Sequence, residues 1–408
     1  MHRIATLAML APLIVVVPVC LYVAALTLAA PFRRVRRGGR LGRLRSFAIL
    51  IPAHNEEAVI ERLFESIGAL DYPTSAHDVW VVADNCTDAT AFLARQRGAF
   101  VRERQDTRLR GKGHALRWLL ETMAGEGRRY DAYVILDADS VISPNFLAAM
   151  NAHLSAGCSV LQGYYTVLPV TGRPSERLRE AALALVHFVR PAAKAALRLS
   201  CGLKGNGMCF DRSVIERFGW PTSGLAEDVE AHLTLVRAGL RVDFVPEAVV
   251  RGEMPDSFRA SRTQQERWEA GRLATLRHWA LPLLLEGLRG RNAVKADAAI
   301  EQMVPPLSLP AVLAALATGG GLAIGAPVVW LTGSLCLVLL ATHVAAGLAI
   351  AHAPVAVYRA LPHAAPYIGW KSLLYARALL RPNDHAWIRT SRQAETPALG
   401  RGLGRRPD

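Results

Sequence analysis

Apolar and polar positions divide this 408-residue chain into an oily start, an alternating middle and an oily end. Ile4 to Ala30 is a 27-residue run without a charged side chain, longer than the ~20 residues that cross a bilayer. From Gln302 to Tyr358 no Asp, Glu, Lys or Arg appears, and Gly319-Gly320-Gly321 and Gly325-Ala326-Pro327 break that stretch near its middle. This predicts two apolar helices, near 303–325 and 328–352, with Pro305, Pro306 and Pro310 allowing a re-entrant start. Between the oily ends, residues 47–52, 79–83 and 133–136 read as buried strands. Residues 56–70, 89–97, 112–123 and 144–155 read as helices. The alternation predicts an α/β fold with a mainly parallel sheet, whose ligand would sit beyond the C-terminal strand ends. Residues 363–380 mix aromatics and leucines with Lys371 and Arg377, the pattern of an amphipathic helix on a membrane surface.

Charge changes the picture. The net charge of +14 invites a nucleic-acid reading. Its distribution argues against one, because seven arginines lie between Arg33 and Arg45 and a further surplus of six lies beyond Tyr358. With Arg3 these account for the whole excess, so residues 46–358 are neutral overall and offer no basic binding face. Basic residues beside apolar runs stay cytoplasmic. The expectation is three crossings, with Met1 outside and with residues 33–301 and the tail in the cytoplasm. Seven arginines after the first run also favour a retained anchor over a signal peptide. With 51% hydrophobic and 20% charged residues the chain is too apolar for disorder. Six cysteines without a C-x-x-C pair exclude a disulfide scaffold and a zinc module. The expected divisions are an anchor at 1–31, a basic linker at 32–46 and a catalytic domain at 47–258. Interfacial helices at 259–301, two apolar helices at 302–358, an amphipathic segment at 359–396 and a disordered tail at 397–408 complete them.

Candidate chemistry clusters where the strands end. One strand runs into Pro52-Ala53-His54-Asn55-Glu56-Glu57, another into Ala83-Asp84-Asn85-Cys86-Thr87-Asp88, and another into Leu136-Asp137-Ala138-Asp139-Ser140. With no protein cation legible opposite them, gathered carboxylates would repel unless a cation or a donor-rich ligand neutralised them. Mg²⁺ or Mn²⁺ with a phosphorylated ligand meets that need. Other readings exist for each piece. Asp84 and Asp88 suit a turn and helix cap, and Glu56 and Glu57 suit a helix N-terminus. Asp137 would be the nucleophile of a haloacid-dehalogenase phosphatase, though that motif follows the first strand of its domain. Gly111-Lys112-Gly113 lacks the remainder of a P-loop, which excludes a P-loop ATPase.

Further along stand Ala226-Glu227-Asp228 and Gln264-Gln265-Glu266-Arg267-Trp268, with 35 residues between Asp228 and Gln264. Asp84, Asp137-x-Asp139, Glu227-Asp228 and Gln264-x-x-Arg267-Trp268 stand in order. In these motifs the chain resembles a membrane-embedded family 2 glycosyltransferase of the cellulose/chitin/hyaluronan synthase-like branch. Lys112 with Ala115-Leu116, Gly205-Asn206-Gly207, Glu253-Met254-Pro255 and the stretch from Trp387 to Arg392 are smaller echoes.

The resemblance implies a GT-A fold with N- and C-terminal transmembrane helices. It also implies inverting transfer of a hexose or N-acetylhexosamine from a nucleotide-diphosphate sugar, chiefly a UDP-sugar. The acceptor would be a polysaccharide or glycolipid at the cytoplasmic face of the cell (inner) membrane. Asp84 would bind the nucleoside, with Pro52, His54, Asn55, Glu56, Glu57 and Lys112 around the donor. Asp139 would be the main ligand of Mg²⁺ or Mn²⁺, shared with Asp137. Asp228 would be the general base, with Glu227 beside it. Gly205, Asn206, Gln264, Arg267 and Trp268 would serve the acceptor and pyrophosphate. Partners would be the donor, the acceptor, membrane lipids and export or accessory subunits. A single-addition lipid glycosyltransferase of ceramide or hopanoid type has the same motifs, and a non-catalytic membrane subunit keeping the fold is a third class.

Overall fold

The computed structural model describes residues 2–33, 43–221, 224, 226–253 and 262–380. Most of the arginine cluster and everything after Leu380 lie outside them, including the Trp387–Arg392 stretch and the tail at 397–408.

Eight strands form one sheet: β1 (Phe47–Ala53), β2 (His77–Asp84), β3 (Phe100–Arg104), β4 (Ala132–Ile135), β5 (Ser140–Ile142), β6 (Val160–Leu168), β7 (Met208–Asp211) and β8 (Val242–Glu253). Their order is β3-β2-β1-β4-β7-β6-β8-β5. The sheet is mixed, with more parallel than antiparallel pairings, in keeping with the expectation: β3-β2-β1-β4 and β6–β8 are parallel, whereas β4–β7, β7–β6 and β8–β5 pair antiparallel. β7 enters beside β4 from the opposite direction, which converts a doubly wound half into a mixed sheet. Because successive strand residues point to opposite faces, β1 feeds two cores. Ala48 and Leu50 pack with Trp80, Leu116 and Phe210 on one face, and Phe47, Ile49 and Ile51 pack with Leu63, Phe146 and Leu161 on the other.

The helices fall where the periodicity places them, with trimmed ends: Ile60–Gly68, Thr90–Gln96, Lys112–Gly125 and Phe146–Ser155. A long helical segment follows β6. It is α-helical at Pro174–Leu183, passes through a π turn at Ala184–Val189, and is α-helical again at Arg190–Ala196. Such turns widen a helix and recur at functional sites. Here the turn brings His187 to a cavity wall.

Among the described residues two helical stretches are long and apolar enough to cross a membrane, Thr6–Phe32 and Pro327–Ile350. The expected helix near 303–325 is shorter, at Ser308–Ala323. It meets Ala293–Met303 at a 65° bend, so the pair reads as a broken span or a re-entrant loop. Pro305 and Pro306 occupy the break, consistent with the helix-stopping chemistry of proline. The apolar helices pack on each other through Val16, Cys20, Val23, Ala317, Val329 and Leu340. Inside this contact Thr27 Oγ1 meets His343 Nδ1 at 2.6 Å. The helix at Ala364–Leu380 forms as expected, but Lys371, whose charge argued for a surface position, turns inward onto Glu269 at 2.8 Å. All six cysteines are free.

Candidate active site

The parallel half of the sheet brings the ends of β1, β2 and β4 together, and the loops after β1 and β2 interlock. Asn55 and Asn85 both adopt positive φ, a conformation asparagine tolerates better than most residues. Asn55 Oδ1 accepts from Thr87 N at 2.8 Å, His54 Nδ1 meets Asp84 O at 2.7 Å, and Glu56 N donates to Thr90 Oγ1 at 2.7 Å. Exposed Glu57 accepts from Ala89 N at 2.8 Å, so it caps the helix that starts at Thr90, as the helix-N-terminus reading has it.

The strand-end carboxylates are not unopposed, contrary to expectation. Asp84 is buried and receives Arg104 Nη1 at 2.6 Å. The two residues are register partners of β2 and β3, so sheet pairing itself supplies the counter-charge. Asp137 receives Lys112 Nζ at 2.5 Å, and the same ammonium donates to Gly205 O. Burial alone would lower the Lys112 pKa, but Asp137, Glu227 and Asp228 hold it above the ordinary lysine value.

A second framework positions the region before Asp228. Asn206 Oδ1 accepts from Asp137 N at 3.2 Å, and its Nδ2 donates to Ser140 Oγ at 2.8 Å. Gln162 Nε2 donates to Asn206 O at 2.8 Å, while its Oε1 accepts from Lys204 N at 2.9 Å. Gly205 and Gly207 have φ of +78° and +70°, and a Cβ on Gly207 would stand 2.5 Å from Val250 Cγ1. A Cβ on Gly205 would lie 3.4 Å from Asp228 Oδ2, so that carboxylate sits against the glycine backbone.

Glu227 and Asp228 open the helix Glu227–Arg237. Burial raises the pKa of both, and the charge of Asp228 raises that of Glu227 further, while Lys112 opposes both shifts. Asp228 thereby becomes a better proton acceptor than an ordinary aspartate.

These groups line one cavity of about 920 Å³. Pro52, His54, Glu56, Lys112, Asp137 and Asp139 border one part, joined by Gly205, Glu227 and Asp228. Asn55, Glu57, Asp84 and Asn206 do not border it. Gln264, Arg267 and Trp268 lie on the helix Arg262–Thr275, and their side chains fall outside the described residues. Gln265, Glu269 and Arg272 of the same helix line the cavity. Sequence reasoning missed Arg104, Gln162, Lys204, Arg190 and Glu269. For Arg190 a signal existed in two basic residues, Arg190 and Lys194, four apart in an alanine-rich stretch.

Among the described residues no three His, Cys, Asp or Glu side chains converge as a closed metal cage. The donor set nevertheless fits Mg²⁺ or Mn²⁺. Both take hard oxygen ligands, and Mg²⁺ is commonly bound by one or two carboxylates plus ligand phosphates rather than by an all-protein cage. Asp137 and Asp139 are partly exposed at the cavity edge, in that form.

An α/β crevice with carboxylates and a half-buried lysine at the strand ends suits a diphosphate-bearing ligand. The comparisons specify the class. A family model described as "Glycosyltransferase like family 2" matches residues 45–271, more than half of the chain, and the chain belongs to that family of enzymes. The beta-monoglucosyldiacylglycerol synthase of Synechocystis sp. (strain ATCC 27184 / PCC 6803 / Kazusa) is 27% identical over 250 residues, covering 57% of this chain and 49% of that protein. Glucomannan 4-beta-mannosyltransferase 7 of Arabidopsis thaliana is 24% identical over 249 residues, covering 57% and 43%. The chain thus spans about half the length of the curated relatives it matches. The mannosyltransferase PcManGT from Pyrobaculum calidifontis, solved with GDP-Man and Mn²⁺, matches 94% of this chain and 100% of its own, with a TM-score of 0.52 and 19% identity. That likeness shows the GT-A fold.

Proposed function

We propose that the chain is an inverting glycosyltransferase that moves a hexose or N-acetylhexosamine from a nucleotide-diphosphate sugar to a hydroxyl of a lipid acceptor at the cytoplasmic membrane face. One observation carries the choice of a lipid. The cavity that holds Asp137, Asp139 and Asp228 continues without interruption to Leu337, Leu340 and Val344 of the apolar helix Pro327–Ile350, and to Tyr367 and Ile368. A polar acceptor has no use for that apolar extension, whereas an acyl or prenyl chain is stabilised by it at about 25 cal/mol per Å² buried. The glycolipid synthase among the relatives supports the same reading.

In this reading Asp84 and the loop Pro52–Glu57 shape the nucleoside side. A Mg²⁺ or Mn²⁺ held by Asp139 and Asp137 would supply counter-charge for the diphosphate. Lys112, already charged, holds Asp137 in place and adds positive potential beside the leaving group. Asp228 takes the proton of the acceptor hydroxyl as its oxygen bonds to the anomeric carbon. The bond from that carbon to the diphosphate oxygen breaks, and the nucleoside diphosphate leaves with the electron pair. Gln264, Arg267 and Trp268 are assigned to the acceptor and pyrophosphate side. The anchor, the three-crossing topology and the cytoplasmic catalytic domain belong to the same proposal.

The test is product analysis with the purified full chain. UDP-, GDP- and dTDP-sugars, labelled in the sugar, are offered with a diacylglycerol or with an oligosaccharide acceptor. Label in a chloroform-soluble product carrying one sugar supports the reading. Label only in water-soluble polymer would replace it with polysaccharide synthesis, and hydrolysis alone would remove both.

A further inference from the structure

Between the catalytic carboxylates and the apolar helices the cavity wall carries a charged stretch, here called the neck. Lys194 is fully buried and pairs with Asp297 at 2.9 Å and Glu301 at 2.5 Å. Lys204 stands 3.7 Å from Glu301, and Tyr22 Oη donates to Asp297 at 3.0 Å. The two carboxylates are thereby neutralised, and the N-terminal apolar helix is tied to the neck. Arg190 and Arg272 also line the cavity here. Arg190 is 7% exposed, and its Nε is buried without a hydrogen-bond partner. Lys204, Arg190, Arg272 and Lys371 thus border the cavity with Glu301 and Glu269, next to apolar surface, while Lys194 and Asp297 lie outside its lining. Arg190 lies in the field of Glu301, a carboxylate it shares with Lys194 and Lys204, and a cation that must share its counter-charge in a largely buried place favours a further anion.

We propose that this neck is an anion-binding subsite for the acceptor, and that the acceptor lipid carries a phosphate between its apolar chains and the hydroxyl that receives the sugar. The inference rests on the lipid-acceptor reading above and narrows it. The order of groups supports the placement. Asp228 sits against Gly205, next in sequence to Lys204; Lys204 Nζ stands 3.7 Å from Glu301; Glu301 acts electrostatically on Arg190; and Val344 and Leu340 border the same cavity. A lipid with its hydroxyl at Asp228 and its chains against Leu340 would present its linking phosphate to Arg190. The planar guanidinium fork matches phosphate oxygens in a way that an ammonium does not. A hydroxyl acceptor still needs the base, so the subsite and Asp228 serve different atoms of the same molecule.

The experiment compares dioleoyl phosphatidate with dioleoylglycerol, two lipids with the same chains, by native mass spectrometry of the detergent-purified full chain. The wild type should hold phosphatidate about tenfold to a hundredfold more tightly, the worth of one charge-assisted contact. Arg190→Gln should bring the two lipids close to parity, and Arg190→Lys should restore part of the preference. Equal binding of both lipids by the wild type would overturn the proposal. So would a loss of both lipids in Arg190→Gln that Arg190→Lys repairs equally for both, since that marks a packing role. A free-anion arm separates the sources. If inorganic phosphate or a nucleoside diphosphate displaces phosphatidate at equal concentration, the neck serves the donor or a free ion and the lipid assignment fails. Because binding is read without turnover, failure of glycosyl transfer itself would appear separately, as absent nucleotide release alongside an intact phosphatidate preference.

Discussion

Replacing Asp228 by Asn tests the chemistry at its most exposed step. The substitution keeps the size and the contact with the Gly205 backbone, where a Cβ would lie 3.4 Å from Oδ2. It removes the only property the mechanism asks of that oxygen, its basicity. Burial raises the Asp228 pKa against the opposing charges of Lys112 and Lys204, so the wild-type carboxylate is both ionisable and a stronger base than usual. A positioned general base contributes about 10²–10⁴ in rate, or about 3–5 kcal/mol of barrier. Asp228→Asn should therefore lower kcat by that factor. Donor affinity should stay near the wild-type value, because Asp137, Asp139 and Lys112 are untouched. Turnover is read as nucleoside diphosphate released in the presence of acceptor, and donor affinity by calorimetry. Near-normal turnover would show that the base lies elsewhere. Loss of donor binding together with turnover would move Asp228 from base to donor ligand and refute the reasoning.

Asp139→Ala should abolish transfer, and excess chelator should silence the wild type until Mg²⁺ or Mn²⁺ is restored; full activity in chelator would remove the metal from the reading. Transfer should fall as pH drops, with the acid limb above the ordinary aspartate value of about 4, because the base must be ionised and its pKa is raised; an inflection at or below 4 would contradict that shift. A carboxylate with a raised native pKa destabilises the fold as pH rises through it, so Glu227→Gln should raise the apparent Tm at pH 8, and the gain should shrink toward pH 4. Gly207→Ala forces a Cβ to within 2.5 Å of Val250 Cγ1 at a φ of +70° and should lower the apparent Tm by several degrees. Adding Val250→Ala should recover part of that loss, and no change in either variant would refute the close-approach argument.

The parts of this molecule that were legible in its sequence are those written locally. Short continuous apolar runs leading into Asp or Glu placed β1, β2 and β4, and glycine and proline breaks placed the apolar helices. What stayed hidden depends on pieces far apart in the chain. Arg104 counters Asp84 only because β3 pairs with β2 in a register that sets the two side by side. Residues 100–104 read FVRER, with no apolar run to announce a strand. The mixed half of the sheet was hidden for a related reason, since β7 enters between β4 and β6 only after the long helical excursion from Pro174 to Ala196, and its own four residues carry no signal of direction.

The same distinction explains why the acceptor side was harder to read than the donor side. Strand ends gather donor-side residues from short segments, and a motif records them. In the proposed reading the acceptor side is assembled from one residue or two per helix. Arg190 comes from the segment after the π turn, Glu269 and Arg272 from the Arg262–Thr275 helix, Glu301 from the helix before the Pro305-Pro306 break, and Lys371 from the last described helix. Each residue taken alone reads as an ordinary surface charge. Folding neutralises three of these five in pairs, Glu301 with Lys194 and Glu269 with Lys371. The meaning of the group lies in the charge left over, and that remainder is a property of the assembled neck which no single helix carries. A chain whose catalytic half is written in motifs can thus change its acceptor by altering a few scattered helix positions while every motif stays in place.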